Sequence, residues 1–270
     1  MPLPSTLWHC FLTMNVYWLE QFEANVPREL KWLGERELVQ VSGMRFAKRR
    51  SDWLLGRWTA KHAVAACLRL PADLRSLAEV DLRPATSGAP EVFLANQPAP
   101  VSISLSHRNG TAACAVAPSG GALGCDLEAV EPHSDVFVED YFTDEERKLV
   151  ARATSADRPL VLTLLWSAKE SALKALRAGL RLDTRSVSVC PVFSPQSHDE
   201  GRQCNINRQT LSVQTPDSLS LWRRLHVSCA DGQGFHGWWQ HSDGLVRSMV
   251  SQPASLPPLL LRRRIQPNNE

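Results

Sequence analysis

Twice along this chain a long stretch with helical apolar rhythm gives way to short runs broken by Pro and Gly. From Asp52 to Leu70, the residues Trp53, Leu54, Leu55, Trp58, Ala60, Val64, Ala65 and Leu68 recur at helical spacing. Ser51 or Asp52 is placed to cap that start, and Pro71 stops it. The runs Glu79–Leu82, Glu91–Leu94, Val101–Leu105 and Thr111–Ala117 then read as antiparallel strands. A second helix is expected from about Arg158 to Arg177, ending at Gly179 as a natural C-cap. Strand-like runs follow at Ser186–Cys190, Thr210–Gln214, Leu219–Val227 and Phe235–Trp239, with Leu245–Val250 after a Ser242-Asp243-Gly244 turn. An amphipathic helix and a half-buried sheet must each cover the other. The expected fold is therefore α+β: two similar subdomains with pseudo-twofold symmetry, each a long helix packed on a small antiparallel sheet.

The turn-rich Pro118-Ser119-Gly120-Gly121 divides the halves, giving subdomains over 14–118 and 119–250. Met14 to Leu19 reads as a first strand, leaving 1–13 as an extension. Pro27 to Val41, with Leu30, Leu33 and Leu38 among charges, reads as helix, and Thr143-Asp144-Glu145-Glu146 as a capping box. Ser194 to Asn207 reads as a polar loop, and the Pro- and Arg-rich 251–270 as a disordered tail.

At 270 residues, 43% hydrophobic and 21% charged, the composition is that of a globular protein. The net charge of +2 argues against bulk nucleic-acid binding. No apolar run is long enough to span a bilayer, and the opening Leu7–Leu19 lacks a preceding Lys or Arg, so neither membrane span nor signal peptide is expected. The seven cysteines are scattered without a CxxC pair, so neither a disulfide framework nor a zinc site is suggested, and a reducing cytoplasm fits best.

Chemistry concentrates in three places. In Gly124-Cys125-Asp126-Leu127-Glu128 an apolar strand runs into two acids that share one face. In Trp166-Ser167-Ala168-Lys169-Glu170-Ser171-Ala172-Leu173-Lys174 helical spacing stacks Glu170 over Lys174. Two carboxylates on a strand and a carboxylate–lysine pair on a helix are the parts of a magnesium site that handles phosphate. The bland alternative is a solvated strand end and a solvated helix face. In the third place, the strand Ser102–Leu105 delivers Ser106, His107 and Arg108, a hydroxyl, an imidazole and a guanidinium that together can bind phosphate. The bland alternative is a strand running into its turn. No GxSxG elbow is present, which disfavours a serine hydrolase. A basic run, Arg45, Lys48, Arg49, Arg50 and Arg57 around Phe46, is either an anion-binding edge or a solvated face.

Together these stretches resemble the 4'-phosphopantetheinyl transferases of the larger, two-lobed surfactin-synthetase type. The family pattern Gly-X-Asp-X-Glu, followed some forty residues later by Trp-X-X-Lys-Glu-X-X-X-Lys, is matched at Gly124–Glu128 and Trp166–Lys174. Ser106-His107 resembles its Ser-His element, Leu54-Leu55-Gly56-Arg57 its early helix, and Gly179 to Val189 the strand region after its catalytic helix. The resemblance covers roughly Asn15 to Val250.

It implies a monomeric enzyme that moves phosphopantetheine from coenzyme A to a serine of an apo acyl or peptidyl carrier protein and releases 3',5'-ADP. It also implies that Asp126, Glu128 and Glu170 hold Mg²⁺ (or Mn²⁺), that Glu170 is the base, and that Lys174 neutralises the leaving charge. Ser106 and His107 would contact phosphate, and Glu146 would be a further acid. Two departures bear on the coenzyme A grip. Where the family commonly has Gly-Lys-Pro this chain has Gly88-Ala89-Pro90, keeping Pro90 but losing the lysine. Lysines of the N-terminal helix are also unmatched, and Arg49 and Arg50 are the expected substitutes. The competing readings are a non-catalytic coenzyme A or nucleotide-binding protein of the same fold and a Mg²⁺-dependent phosphohydrolase.

Overall fold

A computed structural model describes residues 13–118, 120–193 and 222–261. In chain order the strands are β1 (Tyr17–Phe22), β2 (Val80–Pro84), β3 (Pro90–Leu94), β4 (Gln97–Pro98), β5 (Val101–Arg108), β6 (Thr111–Pro118), β7 (Ala122–Ala129), β8 (Val187–Pro191), β9 (Arg223–Cys229), β10 (Gly234–Ser242), β11 (Leu245–Gln252) and β12 (Leu259–Leu260). The helices are α1 (Glu35–Ser42), α2 (Ala47–Leu68), α3 (Leu74–Glu79), α4 (Asp135–Tyr141), α5 (Asp144–Arg152) and α6 (Arg158–Ala175). They form an α+β fold. One sheet has the order β12-β1-β6-β5, a second β7-β11-β10-β9-β8, and a third β2-β3-β4. The chain passes from the first sheet to the second between Pro118 and Ala122, where the turn residues stand.

Two hairpins follow from their dipeptides. Asn109-Gly110 and Asp243-Gly244 both place two successive residues at positive φ, the two-residue turn that matches strand twist. They fix the registers Arg108↔Thr111 and Ser242↔Leu245.

Each long helix covers a sheet with its apolar side. Ala60, Ala63 and Val64 of α2 pack with Leu19, Cys114 and Val116, while Leu162, Leu164, Leu165 and Leu173 lie in the core with Val187, Val227 and Val250. A third cluster seals the seam between the halves, with Met14, Val16, Trp18 and Ala115 on one side and Leu123, Cys125, Leu127 and Met249 on the other. Across that seam Arg247 grips Glu20 with two bonds, at 2.5 and 2.9 Å.

The two helices also repeat a piece of buried chemistry. Trp58-Thr59-Ala60-Lys61 on α2 corresponds to Trp166-Ser167-Ala168-Lys169 on α6. Neither lysine has any exposed side-chain surface (0%). Lys61 bonds Glu37 at 2.6 Å and the carbonyls of Trp32 and Leu77. Lys169 bonds Glu146 at 2.8 Å and the carbonyls of Thr184 and Val187. In each half the acid is the third residue of a short helix, and its carboxylate also receives the N–H of that helix's N-cap, Gly34 or Thr143. An ammonium removed from water needs all its donors used, and here carboxylate and carbonyls supply the acceptors.

Several expectations are corrected. The helix expected over Pro27–Val41 is confined to α1, because Leu33 turns back onto Leu30 and Gly34 caps the helix. The long first helix begins at Ala47 rather than Asp52. The short α4, capped by Ser134, had no sequence counterpart. The end of α6 is not Gly179: Leu176 is the C-cap and Arg177 takes the left-handed conformation (φ 54°). That conformation costs a residue with a Cβ about 1 kcal/mol. Leu259–Leu260, placed in the expected tail, add to β1 as a parallel edge strand. Cys67, Cys114, Cys125 and Cys229 are free thiols, whereas Cys190 is disulfide-bonded, a crosslink the scattered cysteines did not suggest. The extension to residue 12, the strand at 210–214, the polar loop at 194–207 and the end of the tail lie outside the described residues.

Candidate active site

The site forms where β5, β7 and α6 meet. Close approach of α6 to β7 depends on Gly124, since a Cβ there would lie 1.8 Å from the carbonyl oxygen of Ser171. On the neighbouring strand the hydroxyl of Ser248, in register with Asp126, lies 2.8 Å from those of both Ser167 and Ser171. Small side chains on both surfaces set the helix down on the sheet, which fixes where Glu170 and Lys174 stand.

Asp126, whose side chain is only 1% exposed, is the hub. Its Oδ1 accepts from the Ser106 hydroxyl at 2.8 Å and from Lys174 Nζ at 2.7 Å. Its Oδ2 is buried without a hydrogen-bond partner. A buried carboxylate oxygen left unpaired is costly unless something cationic meets it. Asp126, Glu128 and Glu170 each offer an oxygen, and those oxygens lie within 4.8 Å of one another, a donor set of hard ligands suited to magnesium. Among the described residues no other such cluster of three occurs. The residues present therefore fit the ion that the sequence implied.

The electrostatics follow from this crowding. Burial, and then the charge of Asp126, push the Glu170 carboxyl up to about 7. Burial and Asp126 also raise Glu128, with Arg108 opposing them. Burial pulls down on the Lys174 ammonium, but Asp126, Cys125 and Glu170 together outweigh it and hold the lysine above its ordinary value. Lys174 also donates to the Cys125 carbonyl at 3.1 Å and lies 3.8 Å from Glu170.

The sequence-selected residues divide. Asp126, Glu128, Glu170, Lys174 and Ser106 come together. The Ser106 hydroxyl bonds the aspartate, so its partner is a carboxylate. His107 points to the other side of β5, where its Nε2 lies 3.8 Å from Asp52 of α2. Asp52 in turn pairs with Lys48, and Lys48, Arg49 and Arg50 are all exposed. Arg108 reaches back to Glu131 at 2.9 Å and Glu128 at 3.5 Å, capping the acidic cluster. Glu146 is far from solvent on Lys169 and serves the scaffold. Pro90 lines a cavity of about 540 Å³ between the halves, with Ala89, Ser102, Ser104, Lys174 and Arg177. Sequence reasoning missed Lys169 as a buried group and missed Arg177. The repeated Trp-X-Ala-Lys would have revealed the first, since two tetrads of one pattern in two predicted helices imply a shared packing role. Trp166 stands partly exposed among Phe137 and Tyr141, at ring separations of 5.1 and 5.2 Å.

The family model of the 4'-phosphopantetheinyl transferase superfamily matches residues 122–227, the span that holds all three carboxylates and Lys174. No curated protein sequence matches the chain. Among solved structures, the chain is similar to holo-[acyl-carrier-protein] synthase of Helicobacter pylori in complex with coenzyme A (18% identity, TM-score 0.31, 38% of this chain and 99% of that one). It is similar also to that of Bacillus anthracis in complex with CoA (3',5'-ADP) (19%, 0.33, 40% and 100%). A third is that of Thermotoga maritima (20%, 0.32, 48% and 76%). Over residues 122–227, therefore, this chain is similar to the 4'-phosphopantetheinyl transferase superfamily.

Proposed function

We propose that the protein transfers 4'-phosphopantetheine from coenzyme A to a serine of an apo acyl or peptidyl carrier protein, releasing 3',5'-ADP. The observation that carries this reading is Asp126. One of its oxygens is fixed by Ser106 and Lys174, and the other is buried, unpaired and faced by two more carboxylates. Asp126, Glu128 and Glu170 would hold Mg²⁺, which would supply charge neutralisation on the pyrophosphate. In the reaction the serine oxygen forms a bond to the β-phosphorus as that phosphorus loses its bridging oxygen to 3',5'-ADP. Glu170, which stands beside Asp126 and Lys174, is the group suited to take the serine proton, directly or through water. Lys174, held charged by Asp126, faces the negative charge that grows on the departing oxygen. Ser106 keeps Asp126 oriented throughout.

The transfer assay tests the reading. The protein is incubated with coenzyme A and Mg²⁺, with and without a panel of apo carriers, and carrier mass is followed. Gain of a phosphopantetheine group on the carrier serine is expected. Cleavage of coenzyme A without a carrier would instead indicate a phosphohydrolase, and binding without turnover a non-catalytic protein.

The metal site makes a pH prediction. Below pH 7 the metal-free Glu170 carries a proton that a divalent ion must displace. Mn²⁺ affinity, read by electron paramagnetic resonance, should climb by about tenfold per pH unit up to pH 7 and flatten above it. Glu170→Gln should bind more weakly and lose that slope. A flat parent profile from about pH 5.5 to 7 would contradict the raised carboxyl.

A further inference from the structure

The cavity between the halves has a cation problem. Its first-half wall includes the uncharged turn Gly88-Ala89-Pro90, and the one charged residue there is the acidic Glu91. Of the described residues lining it, only Lys174 and Arg177 are cationic, and Lys174 is already engaged by Asp126 and the Cys125 carbonyl. A phosphate-bearing ligand in this space is left with Arg177.

The backbone holds Arg177 there by a closed helix end. Arg177 N–H donates to the Lys174 carbonyl and Ala178 N–H to the Leu173 carbonyl, a pair of bonds that puts residue 177 at the left-handed position usually given to glycine. Arg69 takes the same conformation at the end of α2, so conformation alone does not single out Arg177. What distinguishes it is its place on the cavity wall and the neighbours that brace it. Arg181 donates both to the Arg177 carbonyl, at 3.3 Å, and to the carbonyl of Ser87 across the seam, at 2.9 Å. The guanidinium itself meets Glu91 at 3.0 Å, with both side chains well exposed (53% and 39%). An ion pair so open to water contributes little and exchanges its partner readily.

We propose that Arg177 is a phosphate-binding residue of this cavity, releasing Glu91 to grip a phosphate of coenzyme A and supplying the cation that the Gly88-Ala89-Pro90 turn lacks. This rests on the coenzyme A reading above. Guanidinium matches phosphate with paired, charge-assisted hydrogen bonds, and the pyrophosphate and the 3'-phosphate are both possible sources.

The test is direct binding by calorimetry with the full chain and Mg²⁺, needing no carrier protein. Arg177→Gly keeps the backbone conformation and removes only the side chain, so its melting temperature should equal or exceed the parent's. Its affinity for coenzyme A should nonetheless fall by about tenfold or more. Glu91→Gln removes the competing carboxylate, so affinity should hold or rise. Dephospho-coenzyme A locates the contact: a loss confined to coenzyme A assigns the 3'-phosphate, and an equal loss for both assigns the pyrophosphate. Unchanged coenzyme A affinity in Arg177→Gly, beside a parent that binds, overturns the inference and leaves the reading standing. Equal weakening in Glu91→Gln also overturns it, because the pair would then be a clamp between the halves. A parent that binds no coenzyme A overturns both.

Discussion

Asp126→Ala should yield a folded protein whose carrier-modification rate is at least about a thousandfold below the parent's. Losing one metal ligand and its orienting bonds removes several kcal/mol of transition-state stabilisation, and about 4 kcal/mol is that thousandfold. Asp126 receives both Ser106 and Lys174 on one oxygen, so its removal also frees the lysine that should face the leaving group. The fold should survive, because Lys174 keeps 30% of its side chain in solvent and can be rehydrated. The check is single-turnover transfer beside Mn²⁺ titration and circular dichroism. Transfer above a tenth of the parent rate, with normal Mn²⁺ binding, would place the metal elsewhere.

The largest effect on stability belongs to a residue without a catalytic part. Lys169→Ala leaves the Glu146 carboxylate buried opposite a void, and stripping one partner from such a pair costs about 3–5 kcal/mol. Burial pushes Glu146 up and Lys169 down, so each depends on the other to stay charged. Urea unfolding should show the loss. The double variant Lys169→Met/Glu146→Gln should lose less than the sum of the single changes, since neither leaves an unmatched charge. Lys61→Ala should cost a similar amount in the first half, through Glu37. A Lys169→Ala loss under about 1 kcal/mol would mean the cavity fills with water and the pair is dispensable.

Much of this arrangement was legible before the fold. The alternation at Gly124–Glu128 put Asp126 and Glu128 on one face, and helical spacing stacked Glu170 with Lys174; all four converge. The Ser242-Asp243-Gly244 turn was read between its two strands, and Asp243-Gly244 joins them as a hairpin. What the sequence hid was tertiary. Ser106 looked like a phosphate ligand because a hydroxyl beside an imidazole suits an anion, yet strand alternation sends the two to opposite sides and only the seam between sheets brings Asp126 to the serine. Lys169 looked solvated because charge is normally exposed, and its acceptors come from residues 146, 184 and 187, which no local pattern connects. Gly179 looked like the helix end because glycine usually is, whereas Arg177 occupies the position at a local cost.

The serines at 104 and 106 carry one more implication. The Ser104 hydroxyl accepts the N–H of Cys125, and two residues on the Ser106 hydroxyl bonds Asp126, so adjacent residues of the acidic strand are held from the opposite half of the molecule. Neither half therefore owns the site. A change at 104 or 106 alters what holds residues 125 and 126, so the acidic strand keeps its geometry only while the opposite half stays docked against it.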